Sequence, residues 1–469
     1  MPIPVISVAQ MRAWENATWQ TGQPEAEVIY LVGQAVARRA LELTTSGQGI
    51  LLLAGRGHNG DDARAACEHI LDRRVDLLKV ESPAEDLAEL EASLRQKPSL
   101  IVDGLFGIGL NRPLDEAWRN FIARVNAAGV PVLSVDLPSG LNADTGEHFG
   151  AVVEAAVTLA VGAPKLGLLA PGAERSVGRL EVATDIGLVP CAETSELNWI
   201  LPQDFQRFPP ARLAASHKGT YGHLAIIAGS VGYHGAAVLA TRGAQRAQPG
   251  LVTLLTHEPA YHAVSPQLQS AMVKVWNANE KLATEYGAVL LGPGLAASNL
   301  PDDMKLAGRK LWRDSLLPVI VDASALDWLT LDPVPRNTIR IITPHPGEAA
   351  RLLKCSSAQV QQNRPHAVRE ISKRFGHCWV VLKGYQTLIG RSNGETYVNS
   401  SGNPSLAQGG SGDLLAGFIA GLFVQAHLQA NAAQTLRYAV WQHGAAADKL
   451  QNRRRGWTIE DLAVELGNA

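Results

Sequence analysis

Residues 402–422 read GNPSLAQGGSGDLLAGFIAGL, in which four glycines, two serines and an aspartate lead directly into a long apolar stretch. Glycines ahead of a helix leave backbone N–H groups free to face an anion, and the helix dipole adds to that attraction. The pattern predicts a helix from Asp413 to about Ala430, with Asp413 at its start, placed to remove a proton from a hydroxyl group that attacks a phosphoryl centre. The plainer alternative is a glycine-rich packing turn with Asp413 as N-cap.

Outward from this stretch, short apolar runs of strand length recur. In the second half they are His223–Ala228, Leu251–Thr256, Ala288–Gly292, Pro318–Asp322, Arg340–Thr343 and Trp379–Lys383. In the first half they are Gly49–Ala54, Val75–Val80, Ser99–Asp103, Val130–Asp136 and Ala156–Gly162, with a helix expected over Asp61–Arg73. Apolar strands alternating with helices imply mainly parallel sheets covered on both faces. The stretch Leu188–Lys218, which holds Pro190, Pro202, Pro209 and Pro210, breaks the alternation. The reading is therefore α/β, with two tandem three-layer domains, 1–195 and 196–469.

Composition narrows the function. Of 469 residues, 46% are hydrophobic and 18% charged, ordinary values for a globular protein. Lys plus Arg total 42 against 44 Asp plus Glu, so no basic excess points to nucleic acid. No apolar run approaches membrane-spanning length. Met1–Gln10 shows no basic segment followed by an apolar core, so a cytoplasmic location is expected. The four cysteines form no CxxC pair, which argues against a disulfide framework or a zinc site.

Three loops of the first half follow strand ends and should share one edge of the sheet. In the first, Gly55, Gly57 and Gly60 satisfy GxGxxG, but Asp61 and Asp62 would face the pyrophosphate and repel it. A dinucleotide-dependent oxidoreductase is therefore disfavoured, whereas a cation or hydroxyl suits the charges. The second loop runs from Asp103 to Pro113, and the third begins Asp136-Leu-Pro-Ser-Gly140. Asn59, Asp103 and Ser139 offer oxygens for a hard cation, and Asp136 can serve as an acid or base. Helix capping is the alternative for each strand-end aspartate.

In the second half, two prolines fix the backbone around His345 in Thr343-Pro-His-Pro-Gly-Glu348. Lys383-Gly-Tyr-Gln-Thr387 is either a hairpin or a turn whose polar groups meet a phosphate. Gly292-Pro-Gly294 and Asp322 follow strands, and Lys218–Gly222 is a further candidate for an anion-facing turn.

These residues carry two resemblances. GRGHNGDDARAA, VDGLFGIGL and SVDLPSGLNADTG resemble the three blocks of the NAD(P)H-hydrate epimerase family, the YjeF N-terminal domain, over about residues 5–190. The resemblance implies a Rossmann-like fold, bound potassium, and interconversion of the R and S epimers of hydrated NADH and NADPH. It implies potassium ligation by Asn59, Asp103 and Ser139. Substrate contacts fall to His58, Asn59, Gly60, Asp61 and Asp62, to Gly107, Ile108, Gly109, Leu110, Asn111, Arg112 and Pro113, and to Asp136. Family members usually carry Asn where this chain has His58, and Gly where it has Asp61 and Ala63. HKGTYGHLAIIAGS, LGPGL, TPHPGEAARLL, VLKGYQT and GNPSLAQGGSGDLLAG are similar, in order, to the ADP-dependent NAD(P)H-hydrate dehydratase family, the YjeF C-terminal domain with a ribokinase-like fold, over about residues 200–469. That implies ADP contacts at Lys383, Gly384, Tyr385, Gln386 and Thr387, and at Asn403, Gly409, Gly410, Ser411 and Gly412. It implies hydrate contacts at Ala237, Gly294, His345 and Asp413, with magnesium accompanying the nucleotide. The expected activity is bifunctional repair, epimerisation followed by ADP-driven dehydration of the S form, in a homo-oligomer. The alternatives are a ribokinase-like small-molecule kinase and a catalytically silent N-terminal binding module.

Overall fold

The computed structural model describes residues 1–468 and divides the chain into two units, Ile3–Glu196 and a second running from Leu197 onward that takes in Met1 and Pro2.

The first unit is built on a six-stranded sheet. Its strands are β1 (Gly49–Ala54), β2 (Arg74–Lys79), β3 (Leu100–Gly104), β4 (Val132–Val135), β5 (Val157–Val161) and β6 (Arg179–Ala183). They lie in the order β2-β1-β3-β4-β5-β6, every pair parallel. Side chains alternate along a strand, so each face has its own core. Ile50 and Leu52 of β1 pack with Val28, Val32 and Val36 of the helix Glu25–Glu42. Leu51 and Leu53 pack with Phe121, Ile122 and Val125 of the helix Glu116–Asn126. The chain leaves β1 towards β2 on one side, while β3 lies on the other. The loops after β1 and β3 therefore splay apart at their carboxyl ends and open a crevice.

The second unit has strands β7 (Leu197–Trp199), β8 (His223–Ile227), β9 (Leu251–Thr256), β10 (Met272–Val275), β11 (Ala288–Leu291), β12 (Val319–Val321), β13 (Arg340–Ile342), β14 (Trp379–Leu382), β15 (Leu388–Gly390) and β16 (Thr396–Val398). Their order is β7-β16-β15-β14-β13-β12-β11-β8-β9-β10. All pairs are parallel except those β15 makes with β14 and β16. The splayed pair here is β8 and β11. Over it pass two helices in close contact, His234–Arg246 and Ser411–Phe423. Only small residues let them approach. A Cβ on Gly417 would lie 1.8 Å from the Ala240 carbonyl oxygen, and one on Gly243 would lie 2.1 Å from that of Leu414. This seam fixes where the glycine-rich turn ends.

Several boundaries differ from expectation. The helix expected over Asp61–Arg73 runs from His58 to Cys67. It starts early because Gly60 can press on the end of β1, where a Cβ would lie 1.9 Å from the Gly55 carbonyl oxygen. It stops early because the chain must turn at Asp72, which has φ of 61°, to enter β2. The helix expected from Asp413 begins at Ser411 with Gly410 as N-cap, so Asp413 lies inside its first turn and is not the cap. It ends at Phe423, not near Ala430. Gln425 adopts an extended backbone and bonds its side chain back to the carbonyls of Gly421 and Ala247, at 3.0 and 2.8 Å. The proline-rich stretch Leu188–Lys218 contains β7 and a buried Phe205 whose ring lies 5.6 Å from that of Tyr438.

Two candidate active sites at strand carboxyl ends

In the first unit, the loops after β1, β3 and β4 meet as expected. Asp103, at the end of β3, is fully buried. It accepts hydrogen bonds from Ser134 Oγ at 2.9 Å and from the Ser139 amide and hydroxyl at 2.9 and 2.6 Å. Burial pushes its carboxyl up, opposed by these donors. Asn59 donates to the carbonyls of Val135 at 2.6 Å and Phe106 at 3.0 Å. Its Oδ1 faces Gly107, where a Cβ would lie 2.3 Å away. The Phe106 amide in turn donates to Ser139 Oγ at 2.9 Å. Asn59, Asp103 and Ser139 thus form one oxygen-rich knot, and all the donors to Asp103 are neutral.

Asp136 follows β4 with φ of 63°, a left-handed conformation uncommon outside glycine. Such a strained residue persists only where its surroundings hold it. Here the holder is Lys165, whose ammonium lies 2.5 Å from Asp136 Oδ1 and donates at 2.8 Å to the Val161 carbonyl. Asp62 is 7% exposed. Its carboxyl is pushed well above the usual range by burial and by Asp136, Asp61 and Glu15. Glu15 is also pushed up, by burial against the opposing pull of Lys165.

The remaining predicted residues of this site divide. Asp61 is committed to Arg64 at 2.5 Å. His58 points outward to Glu25 at 3.2 Å, with 75% of its side chain exposed. Gly60 packs on the strand end, as described. In the Gly107–Pro113 loop, Ile108 and Leu110 pack partly into the core, whereas Gly109, Asn111, Arg112 and Pro113 form an exposed rim. Sequence reasoning missed Lys165 and Glu15. The available signal for Lys165 was a lysine four residues beyond the end of β5, a strand that ends at an acidic crevice.

In the second unit, Asp322 (after β12), Lys383 (after β14) and Asp413 converge although they are far apart in sequence. Asp322 Oδ1 accepts from Lys383 Nζ at 2.8 Å and from Thr343 Oγ1 at 2.6 Å. A Cβ on Gly412 would lie 3.0 Å from Lys383 Nζ, so the glycine-rich turn presses on that ammonium. Asp413 is raised to about 7, first by burial, then by Asp322, with Lys383 opposing and Glu348 adding. Because Lys383 is bonded to Asp322, its charge only partly compensates Asp413.

His345 caps the helix Pro346–Leu353. Its Nδ1 accepts from the Gly347 amide at 3.0 Å, leaving Nε2 outward, 3.5 Å from Glu348 Oε1. Gly294, at φ of 66°, lies under Tyr233 and Ala236, where a Cβ would be 2.3 Å from the Tyr233 carbonyl oxygen. Ala237 is fully buried beneath Gly229. Both belong to the splay between β8 and β11, where Ser230 Oγ donates to the Gly294 carbonyl at 2.6 Å.

The Lys383–Thr387 segment is the turn between antiparallel β14 and β15. Tyr385 is exposed, Gln386 has positive φ, and Thr387 Oγ1 bonds to the Gly384 carbonyl at 3.1 Å. Arg364, unanticipated from sequence, ties the turn down through the carbonyls of Leu382, Tyr385 and Gln386. Asn403 is anchored by Asp448 at 3.0 Å and caps Ser405. Gly409 and Gly410 lead into Ser411, whose hydroxyl lies 3.5 Å from His443 Nε2. The Lys218–Gly222 turn does not join this site. It sits at the amino ends of β8 and β9, against Gly250, on the opposite edge of the sheet.

Among the described residues, no helix is long and apolar enough to cross a membrane. A family model described as NAD(P)H-hydrate dehydratase matches residues 224–466, and one described as YjeF-related protein N-terminus matches residues 74–167. The bifunctional NAD(P)H-hydrate repair enzyme Nnr of Coxiella burnetii is 34% identical, with 97% of each chain covered. That of Escherichia coli strain K12 is 33% identical, covering 94% of this chain and 88% of the relative. A ribokinase-like superfamily protein from Enterococcus faecalis superposes with a TM-score of 0.50 at 23% identity, over 59% of this chain and 96% of its own, and shares the fold of the second unit. With a match of this extent along nearly the whole chain, the protein belongs to the bifunctional NAD(P)H-hydrate repair enzymes.

Proposed function

We propose that the unit Ile3–Glu196 epimerises the hydrate and that the unit from Leu197 onward dehydrates its S form at the expense of ADP. The observation that carries the second assignment is Asp413, set in the first turn of a helix behind a glycine-rich loop and beside the Lys383–Asp322 pair. Hydroxide leaves carbon poorly and phosphate leaves well. Asp413 takes the proton of the C6 hydroxyl, whose oxygen bonds to the β-phosphorus of ADP as the bond to AMP breaks. The ring nitrogen's lone pair then expels phosphate from C6. Loss of the C5 proton restores the ring double bond. Backbone N–H groups of Gly410–Asp413 face the transferring charge. The Lys383–Thr387 turn, with Asn403, Gly409, Gly410, Ser411 and Gly412, forms the nucleotide side. His345, with the splay that Ala237 and Gly294 shape, forms the hydrate side.

Magnesium is expected with the nucleotide. Among the described residues no group of three or more His, Cys, Asp or Glu is set to hold a metal, so phosphate oxygens and water would supply most of its ligands.

In the first unit, Asp136 accepts the C6 hydroxyl proton. The carbon–oxygen bond becomes a carbonyl as C6–N1 opens, and the electron pair passes to N1, delocalised towards the carboxamide. Reclosure of N1 on the other face of C6 and return of the proton give the other epimer with atoms and charge conserved. Potassium suits the all-oxygen knot of Asn59, Asp103 and Ser139, whose single buried carboxylate has only neutral donors. The His58–Asp62 and Gly107–Pro113 segments line the substrate.

The test mixes R and S hydrates of NADH with ADP, magnesium and potassium, following reduced-nicotinamide absorbance and AMP. The full chain should recover both epimers, and Asp136→Ala should stall after the S form. Stalling of the full chain itself would leave the first unit catalytically silent. Consumption of the nucleotide with no return of reduced-nicotinamide absorbance would mark a kinase.

A further inference from the structure

We infer that Lys165 is a positioning residue for epimerisation, so that the working acid–base unit of the first crevice is the Asp136–Lys165 pair and not the aspartate alone. The inference rests on the reading of Asp136 as the proton acceptor of that crevice.

The geometry separates the two oxygens of Asp136. Oδ1 is held twice, by Lys165 Nζ at 2.5 Å and by the Val161 amide at 3.0 Å. Among the described residues no donor holds Oδ2. One oxygen is anchored while the other is left for a proton. Lys165 is itself fixed. Only 1% of its side chain is exposed, and its ammonium also bonds the Val161 carbonyl. Its backbone is tied to the start of the unit, where Ile6 donates to the Pro164 carbonyl and Leu166 to that of Ile6.

A buried ion pair is a poor device for stability alone, because desolvation offsets most of its attraction. Its value here is local. Glu15 faces the pair from the helix Val8–Trp19 and Asp62 from the helix His58–Cys67, with the more exposed Arg12, His58 and Asp61 outside them. Arg12 and His58 act on Glu15 only weakly, and Asp61 is paired with Arg64. Glu15, Asp62 and Asp136 therefore crowd one buried ammonium. Without it, Asp136 becomes a third carboxyl in a low-dielectric crevice and takes up a proton at higher pH. The rate step needs its ionised form, since the C6 hydroxyl gives its proton to Oδ2 as N1–C6 opens.

The experiment compares R-to-S turnover by the full-length protein with Lys165→Met, Lys165→Arg, Asp136→Asn and the double variant Asp136→Asn/Lys165→Met, from pH 5 to 9. Lys165→Met should shift the acid limb of kcat upward by about 2 pH units, a loss of about 100-fold below the limb. KM should change little, and Lys165→Arg should recover most of the loss. The double variant should be no worse than Asp136→Asn. Dehydration of the S hydrate by the same preparations reports on the second unit, and thermal melting reports on the first. If Lys165→Met unfolds the first unit, the position of the limb in Lys165→Arg decides: a limb within half a unit of the parent supports the inference, and a uniform loss at every pH overturns it. An unshifted limb in a folded Lys165→Met also overturns it. Asp136→Asn that still turns over the R hydrate would instead remove the reading of Asp136 on which the inference stands.

Discussion

The two crevices use the same architecture, splayed parallel strands with an aspartate just beyond a strand end or helix start, yet they treat that aspartate in opposite ways. In the first unit the lysine is bonded directly to Asp136. In the second, Lys383 is bonded to Asp322, and Asp413 is left partly uncompensated, raised to about 7. Both aspartates take the C6 hydroxyl proton, but in the first crevice the C6–N1 bond opens as that proton leaves, whereas in the second the oxygen must attack phosphorus, a step that gains from a more basic acceptor. One electrostatic device, placed one residue nearer or farther, sets the two behaviours.

The largest expected effect is on the uncompensated aspartate. Asp413→Ala should cut ADP-dependent dehydration by about 10²–10⁴-fold while R-to-S turnover stays within about twofold. Stopped assays on each epimer separately check both halves. A parallel loss of epimerisation would mean the crevices are not independent.

Next comes the cost of breaking the compensated pair. Asp136→Asn leaves the Lys165 ammonium buried without a carboxylate, and removing one partner of a buried pair costs about 3–5 kcal/mol. Denaturant unfolding followed by probes in the first unit should show that loss. An unchanged midpoint would mean the pair is solvated in solution, and the contrast with Asp413 would fail.

Much of this contrast was legible in the sequence, and its limits have physical causes. The strands were visible because both faces are covered, so GILLLA in β1 reads as an unbroken apolar run. Asp103 and Asp136 were visible because each closes such a run, and Asp413 because it stands between a glycine-rich turn and an apolar helix. Lys165 and Glu15 were not, because a single charged residue beside an apolar segment normally lies in solvent, and only the closed crevice shows otherwise. Arg364 was hidden for the same reason, since its work is done through backbone carbonyls of a turn distant in sequence. Edge strands such as β10, largely exposed, carry too few apolar residues to stand out. The true start of the helix at Ser411 depends on Gly410 at φ of 96°, a backbone choice that four candidate glycines left open.

The pH dependence sharpens the comparison. Asp413 acts as a base only when ionised, so kcat/KM for dehydration should fall about tenfold per pH unit below about 7. Initial rates on pure S hydrate at fixed ADP and magnesium provide the profile. The same limb in R-to-S turnover would indicate a shared group and erase the distinction.

The smallest effect carries the opposite sign to that at Asp136. Because Asp413 is raised to about 7 in the folded protein from the ordinary 3.8, the native state binds more protons than the unfolded chain between those values. Its contribution to stability is therefore lost as pH rises through that window. Asp413→Asn removes the penalty. The second unit should gain on the order of 1–2 kcal/mol at pH 8, after discounting for the opposing Lys383 charge and for nearby solvent, and nothing near pH 4. A rise in Tm of a few degrees at pH 8 that vanishes at low pH is the expected record. A variant that loses dehydration and gains stability would show that the strain at Asp413 serves chemistry and not the fold. One that loses both would mean Asp413 is as fully paired as Asp136, and that the two crevices differ less than their geometry indicates.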